Sequence, residues 1–212
     1  MPDHDVVRRS YDTVADDYTA RLHDELAGKP LDRALLASLL EQTEPGAPIA
    51  DLGCGPGHVA AWLAERGAST VGIDLSPAMV ETGRSRFPKV EFRQGDLLEL
   101  PGADREFGSL VALYSIIHLA PGELPHAFAE AARVLRPTGL ALFAFHVGEE
   151  TRHLDEWWGH EVDLDFRFLQ PARIAGLLEE AGFTVEMSME RAHYAGEVDT
   201  RRAYLLARRG GS

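Results

Sequence analysis

The chain has 212 residues, 45% of them hydrophobic and 26% charged, with a formal net charge of -13. This length suits one domain with a substantial core, and this charge sets the surface against phosphate backbones, so nucleic acid is excluded as the expected partner. No apolar run approaches the roughly 20 residues that span a bilayer, and the acidic start Met1-Pro2-Asp3-His4-Asp5 lacks a signal-peptide core, so a cytoplasmic location away from membranes is expected.

Residues 5–26 read as a helix, because Val6, Tyr11, Val14, Tyr18 and Leu22 recur at helical spacing. A second helix is expected over 31–42, ended by Pro45-Gly46-Ala47-Pro48. Strands and helices then alternate. Ile49–Leu52 reads as a strand and 58–66 as a helix; Thr70–Asp74 is a strand, and the next helix opens at Pro77, a favoured first helical position. Val90–Arg93 is the third strand. Ser109–Tyr114 is the fourth, apolar throughout like a strand covered on both faces. Leu124–Leu135 is a helix stopped by Arg136-Pro137-Thr138-Gly139, and Leu140–Phe145 is the fifth strand. A helix over Gln170–Ala181 ends at Gly182. The last strands, Thr184–Glu190 and Arg202–Ala207, are joined by a loop too short for a helix, so they form a hairpin and one runs antiparallel to the rest. Arg201, Arg202, Arg208 and Arg209 flank the final strand and read as its solvated ends. The pattern predicts an α/β fold: a Rossmann-like, doubly wound, seven-stranded and mostly parallel sheet with an antiparallel terminal hairpin.

The stretch Asp51-Leu52-Gly53-Cys54-Gly55-Pro56-Gly57-His58 is the chemical centre of this pattern. Ligands of such sheets bind at the carboxyl ends of the strands. Gly53, Gly55 and Gly57 let the chain turn sharply and let a ligand lie against bare backbone. A hydride-carrying dinucleotide requires G-x-G-x-x-G; here the spacing is G-x-G-x-G, with His58 three positions after Gly55. Asp51 is a poor neighbour for a pyrophosphate and a good one for an ammonium group. Asp74 ends the second strand, where a carboxylate accepts hydrogen bonds from ribose hydroxyls. Asp96, after the third strand, is placed to accept from an adenine amino group with Leu97 on the ring face, although such a residue also caps helices. Carboxylates at three successive strand ends suit a ligand with ammonium, ribose and adenine in a row and no phosphate. Cys54, the single cysteine, forms no internal disulfide and reads as a small buried residue.

Asp51-Leu52-Gly53-Cys54-Gly55-Pro56-Gly57, Gly72-Ile73-Asp74-Leu75-Ser76-Pro77-Ala78-Met79, Gly95-Asp96 and Ala132-Arg133-Val134-Leu135-Arg136-Pro137-Thr138-Gly139 together resemble the class I S-adenosylmethionine-dependent methyltransferases. The resemblance runs in order from about residue 7 to 146, and the terminal hairpin fits the family's antiparallel seventh strand. One turn departs: the family usually has Lys-Pro-Gly-Gly where this chain has Arg136-Pro137-Thr138-Gly139. The resemblance implies S-adenosyl-L-methionine as cofactor and S-adenosyl-L-homocysteine as product. It implies that Gly53, Gly55 and Gly57 pass the methionine part, Asp51 meets its ammonium, and Asp74 holds the ribose. Leu75, Met79, Asp96 and Leu97 would then surround the adenine, and Tyr114 and Ser115 would line the sulfonium side. The segment Ser10–Arg21 resembles the family's lid helix for small-molecule substrates; Tyr11, Tyr18 and Arg21 would reach the cofactor carboxylate.

The implied reaction needs alignment and exclusion of water more than acid catalysis. His118 and His146, each after a strand end, are the candidate bases. Residues 149–169 hold Trp157, Trp158 and His153 and read as a substrate lid, or as an edge strand, from the alternation Val162, Leu164, Phe166, Phe168, that leaves room for a homodimer. The expected acceptor is a small aromatic or apolar molecule, with O-methylation ahead of N- or C-methylation. His146, His153 and His160 are spaced by seven but glycines interrupt them, so no metal site is assigned. The expected organisation is a single domain over 1–212, with 1–44 as helical lid, 47–146 as cofactor core, 149–169 as substrate-side segment and 170–212 as final helix and hairpin. The rival readings are a protein that binds the cofactor without transfer and a nicotinamide-dependent reductase.

Overall fold

The computed structural model describes residues 4–211, so Met1 to Asp3 of the N-terminal lid segment and Ser212 lie outside the described residues. Two helices come first, α1 (His4–Leu22) and α2 (Pro30–Gln42). Between them Glu25–Gly28 forms a single 3-10 turn, so the first helix ends four residues before the periodicity of the sequence predicts. The alternating units follow: β1 (Ile49–Leu52), α3 (His58–Ala64), β2 (Thr70–Asp74), α4 (Pro77–Arg86), β3 (Glu91–Gln94), β4 (Phe107–Leu113), α5 (Leu124–Val134) and β5 (Leu135–His146). A hairpin, β6 (Thr151–Trp157) and β7 (His160–Arg167), is inserted before α6 (Pro171–Glu180), β8 (Phe183–Arg191) and β9 (Arg202–Arg209).

Seven strands form one sheet in the order β3-β2-β1-β4-β5-β9-β8. The first five are parallel and β9 runs antiparallel between β5 and β8. Both faces are covered. Ala50, Leu52, Leu110, Ala112, Phe143 and Phe145 pack with Phe128 of α5 and Ile174 of α6 on one side. Ile49, Val111, Leu140 and Leu142 pack with Leu36 and Leu39 of α2 and Leu63 of α3 on the other. The order reverses between β1 and β4, so the carboxyl ends of β1, β2 and β4 open onto one crevice, where ligands of such sheets lie.

Segment 149–169 is not a loop. β6 and β7 pair with each other as a separate two-stranded sheet. The alternation seen in the sequence is satisfied within the chain: Val162 and Leu164 are buried against Val14 of α1. Asp163 and Ser10 tie the two elements, the Asp163 N–H donating to Ser10 Oγ at 3.0 Å. On its other side α1 touches the start of α4, where Ser76 Oγ donates to Asp12 Oδ1 at 2.6 Å.

Two turns depart from ordinary chemistry. Thr138 stands where the resembling family has glycine, and its φ is 65°; a β-branched residue in this left-handed region is strained. Trp158 and Gly159, at φ 55° and 85°, form the two-residue tip of the β6–β7 hairpin. That geometry normally selects Asn-Gly.

Candidate active site

Gly53 and Gly55 have φ of 69° and 53°, and a Cβ on Gly53 would collide with the Cβ of Ser115. The corner therefore needs glycine for conformation and for space. Gly57, at φ 86°, meets the ring of Phe92, which also fills the space beside Gly72 and Gly83. It thus permits the close helix–strand packing that the third glycine of a dinucleotide loop would provide.

Asp51 and Asp74 end neighbouring strands at this corner. Asp51 is 3% exposed and its Oδ2 accepts from the Ala60 N–H at 3.1 Å. Burial pushes its carboxyl up to about 7. Asp74 accepts from the Gly55 N–H at 2.7 Å and the Ser76 N–H at 2.9 Å. Burial raises it to about 6 despite those donors. Among the described residues no Lys, Arg or His forms an ion pair with either group. Two further buried polar atoms at the crevice, Ser115 Oγ and His58 Nδ1, have no hydrogen-bond partner among the described residues. Carboxylates made costly by burial, beside unpartnered donors and acceptors, fit a cationic, hydroxyl-rich ligand.

Asp96 both caps and pairs: Oδ1 accepts from the Leu98 N–H at 2.9 Å, and Oδ2 lies 2.6 Å from His4 Nδ1 on α1. Burial works against the charge on His4, but Asp96 and Glu123 raise its pKa overall. Leu97 packs partly buried on the main core, Leu75 is half-buried after β2, and Met79 is fully buried beneath the α4 N-terminus. Tyr114, just after β4, has φ 59°, its ring lies beside His146 at 5.0 Å, and its hydroxyl is 3.4 Å from that of Tyr204.

The lid helix lies on the corner. The Tyr18 ring sits 3.6 Å from where a Gly55 Cβ would be. The Tyr11 hydroxyl donates to His118 Nε2 at 2.7 Å, while His118 Nδ1–H donates to the Asp165 carbonyl at 3.0 Å. The carbonyl can only accept, which fixes the tautomer. Burial pulls His118 down to about 4, so the ring is neutral near pH 7. Tyr11, Tyr18, Trp157, Trp158, His118 and Phe166 form an edge-to-face and stacked array, with Trp157 on Trp158 at 4.7 Å. His146 Nδ1 is 2.8 Å from Thr200 Oγ1, and burial pulls it also to about 4.

Two sequence candidates are exposed. Arg21 lies 3.7 Å from Asp17 and 5.0 Å over the Trp158 ring. His153 lies on the exposed side of the hairpin, 3.1 Å from Asp165, so strand alternation turns it from the aromatic array. The sequence reading missed His4, Asp12, Glu25, Lys29 and His58. The i,i+4 pair of Glu25 and Lys29 was the one visible signal, and it reads as an ordinary surface pair until the fold brings His58 to it.

Residues 49–139 match the family described as "Methyltransferase domain". A protein of Mycolicibacterium smegmatis named "Probable S-adenosylmethionine-dependent methyltransferase/" is 34% identical over 173 residues, 79% of this chain and 62% of that protein. The chain carries a class I S-adenosylmethionine-dependent methyltransferase domain. The magnesium-protoporphyrin O-methyltransferase of Rhodobacter capsulatus is 28% identical over 69% of this chain and 65% of its own length. The chain thus spans a little under two thirds of these two curated relatives. The magnesium protoporphyrin IX methyltransferase from Synechocystis PCC 6803, solved with bound SAM, superposes with a TM-score of 0.75 at 19% identity, covering 99% of this chain and 98% of that one; it shares the methyltransferase fold. The domain's cofactor is S-adenosyl-L-methionine, and the acidic, glycine-lined crevice suits it. No helix among the described residues is long and apolar enough to cross a membrane.

Proposed function

We propose that the protein transfers the methyl group of S-adenosylmethionine to oxygen on a small molecule with an aromatic or apolar body. The aromatic array between α1 and the β6–β7 hairpin carries this reading: Tyr11, Tyr18, Trp157, Trp158 and Phe166 pack together, and the Tyr18 ring reaches the corner, 3.6 Å from where a Gly55 Cβ would be. Rings arranged this way give a flat acceptor a rigid seat at low entropic cost and keep water out.

Bound S-adenosylmethionine would supply an electrophilic methyl on sulfonium, with neutral S-adenosylhomocysteine as a leaving group that needs no acid. In this reading Asp51 receives the ammonium and Asp74 the ribose hydroxyls, while Gly53 and Gly55 leave backbone room. Asp96 with Leu97 borders the adenine. Tyr114 and Ser115 line the side where the acceptor enters. His118, with Nε2 taken by the Tyr11 hydroxyl and Nδ1–H by the Asp165 carbonyl, fixes Tyr11 in the wall rather than touching the acceptor. With its nitrogens engaged and its pKa pulled to about 4, it is no base for an aliphatic alcohol, so an acceptor whose hydroxyl is itself acidic, a phenol, enol or carboxylic acid, fits best. The name of the Rhodobacter relative, an O-methyltransferase, agrees with oxygen as target.

Titration of the protein with S-adenosylmethionine, S-adenosylhomocysteine and NADH, repeated with Asp74→Ala, tests the cofactor site. The two adenosyl ligands bind, at least ten times more weakly in the variant, and NADH does not. Mass-spectrometric scoring of phenols, carboxylic acids and amines then tests the acceptor. Methylation of amines alone would overturn oxygen as target, and binding without turnover of any acceptor would favour a cofactor-binding partner protein.

A further inference from the structure

His58 follows the glycine corner directly and its side chain is 8% exposed. Its Nε2–H donates to Glu25 Oε1 at 2.9 Å, yet its buried Nδ1 has no partner among the described residues. An unpartnered nitrogen at that depth is costly unless a ligand completes it. Glu25 also accepts from Lys29 Nζ at 2.6 Å. Burial works to raise the Glu25 carboxyl, but His58 and Lys29 overcome it and hold the group near 2.

The cluster faces the crevice. His58 opens α3, the helix whose Ala60 N–H donates to Asp51 at 3.1 Å. Glu25 acts on the Tyr18 hydroxyl that lies over Gly55. Lys29 Nζ stands 5.3 Å over the Tyr114 ring, at the sulfonium side. Its other acidic neighbour, Glu197 at 4.0 Å, is already paired with Arg191 at 2.6 Å and Arg202 at 3.3 Å. One carboxylate, Glu25, serves both the imidazole and the ammonium and leaves His58 Nδ1 without a partner among the described residues, while Asp51 alongside is an unmatched acid. An amino-acid zwitterion answers both: ammonium to Asp51, carboxylate to His58 and Lys29. Arg21, the arginine that the family resemblance suggested for this task, is exposed and stands over the Trp158 ring beside Asp17.

We propose that Glu25, Lys29 and His58 form the clamp for the cofactor's methionine carboxylate, with His58 Nδ1–H as the direct donor and Glu25 as the positioning residue. The inference rests on the S-adenosylmethionine reading of this crevice. It adds that docking of the lid segment, which carries Glu25 and Lys29, is coupled to the amino-acid end of the cofactor rather than to its adenine.

The test is a ligand–protein cycle read by calorimetry. S-adenosylhomocysteine and its decarboxylated analogue, which keeps the amine and the adenosyl group, are titrated into the wild-type protein, His58→Gln and Lys29→Met. In wild type, loss of the carboxylate weakens binding by about 10- to 100-fold. In His58→Gln that difference shrinks to about threefold or less, because the two ligands then see the same site. Retained binding of the decarboxylated analogue shows that a variant is folded, and Lys29→Met carries the test if His58→Gln does not fold. An undiminished difference in the variants, or equal losses for both ligands, overturns the clamp. Failure of the wild type to bind either ligand overturns the cofactor reading beneath it, a distinguishable result.

Discussion

Asp51 makes the stability of the ligand-free protein depend on pH in a direction opposite to most carboxylates. Its usual value is 3.8 and burial lifts it to about 7. Between those values the folded protein holds a proton that the unfolded chain has released, so stability falls as pH rises. The slope approaches ~1.4 kcal/mol per pH unit, and the full shift amounts to about 4 kcal/mol, present as a penalty above pH 7 and absent near pH 4. Asp74, raised to about 6, acts in the same direction over a narrower window. Asp51→Asn keeps an acceptor for the Ala60 N–H and removes the ionisation. It is therefore expected to be more stable than wild type at pH 8 by about 1–3 kcal/mol, an advantage that shrinks as the pH falls towards 5. It is also expected to bind S-adenosylhomocysteine at least ten times more weakly, because the ammonium loses its counter-charge. Urea unfolding of ligand-free wild type and variant at pH 5, 6, 7 and 8 measures the first effect. Parallel profiles for the two proteins would refute the assignment of a buried, neutralised Asp51; the difference between them is the readout, because His118 and His146, pulled down by burial, make stability rise with pH up to about 6.5 in both.

Thr138→Gly relieves a left-handed β-branched residue and is expected to raise stability by about 1 kcal/mol without altering cofactor affinity; a lower urea midpoint would contradict it. Gly53→Ala is expected to cost about 2–5 kcal/mol from positive φ and the Ser115 collision. Adding Ser115→Gly should return the steric share, which a double-mutant cycle reads. Trp158→Asn suits the hairpin tip, so the fold should survive within about 1 kcal/mol; acceptor KM should rise about tenfold or more with S-adenosylhomocysteine affinity unchanged, and loss of that affinity would show a wider structural role. Tyr11→Phe leaves His118 Nε2 without its donor and should lower kcat by about 3- to 30-fold while sparing cofactor binding, as initial rates at saturating cofactor would show.

Much of the fold was legible because its signals are local. The alternation of apolar runs with helical periodicity, and the glycine corner after Ile49–Leu52, carry the sheet and its crevice. Boundaries were read less well where tertiary pairing extends an element. β5 begins at Leu135 and β4 at Phe107, because those residues pair across strands although they lie outside the apolar runs. The cofactor carboxylates were legible one by one, since each ends a strand. The aromatic wall was half legible: Trp157 and Trp158 declared themselves by composition, but their contact with Tyr11 and Tyr18 joins segments about 140 residues apart. His58, Glu25 and Lys29 were illegible for a related reason. Each looks like a solvated residue until a 3-10 turn and a helix start are brought together, and no sequence period records that meeting.

The aromatic wall is built from elements outside the seven-stranded sheet. Ser10 to Asp163, Asp17 to His160 at 2.8 Å, and Tyr11 to His118 fasten α1 on one side, and Asp12 to Ser76 and His4 to Asp96 on the other. These contacts can open without disturbing a strand pair of the sheet, so the barrier to exchanging product is set by a few surface-side bonds and ring contacts, and the barrier to unfolding by the sheet. The same separation makes the two segments interchangeable parts: a graft of α1 together with the β6–β7 hairpin from another protein of this fold would carry a new acceptor preference onto an unchanged cofactor cradle.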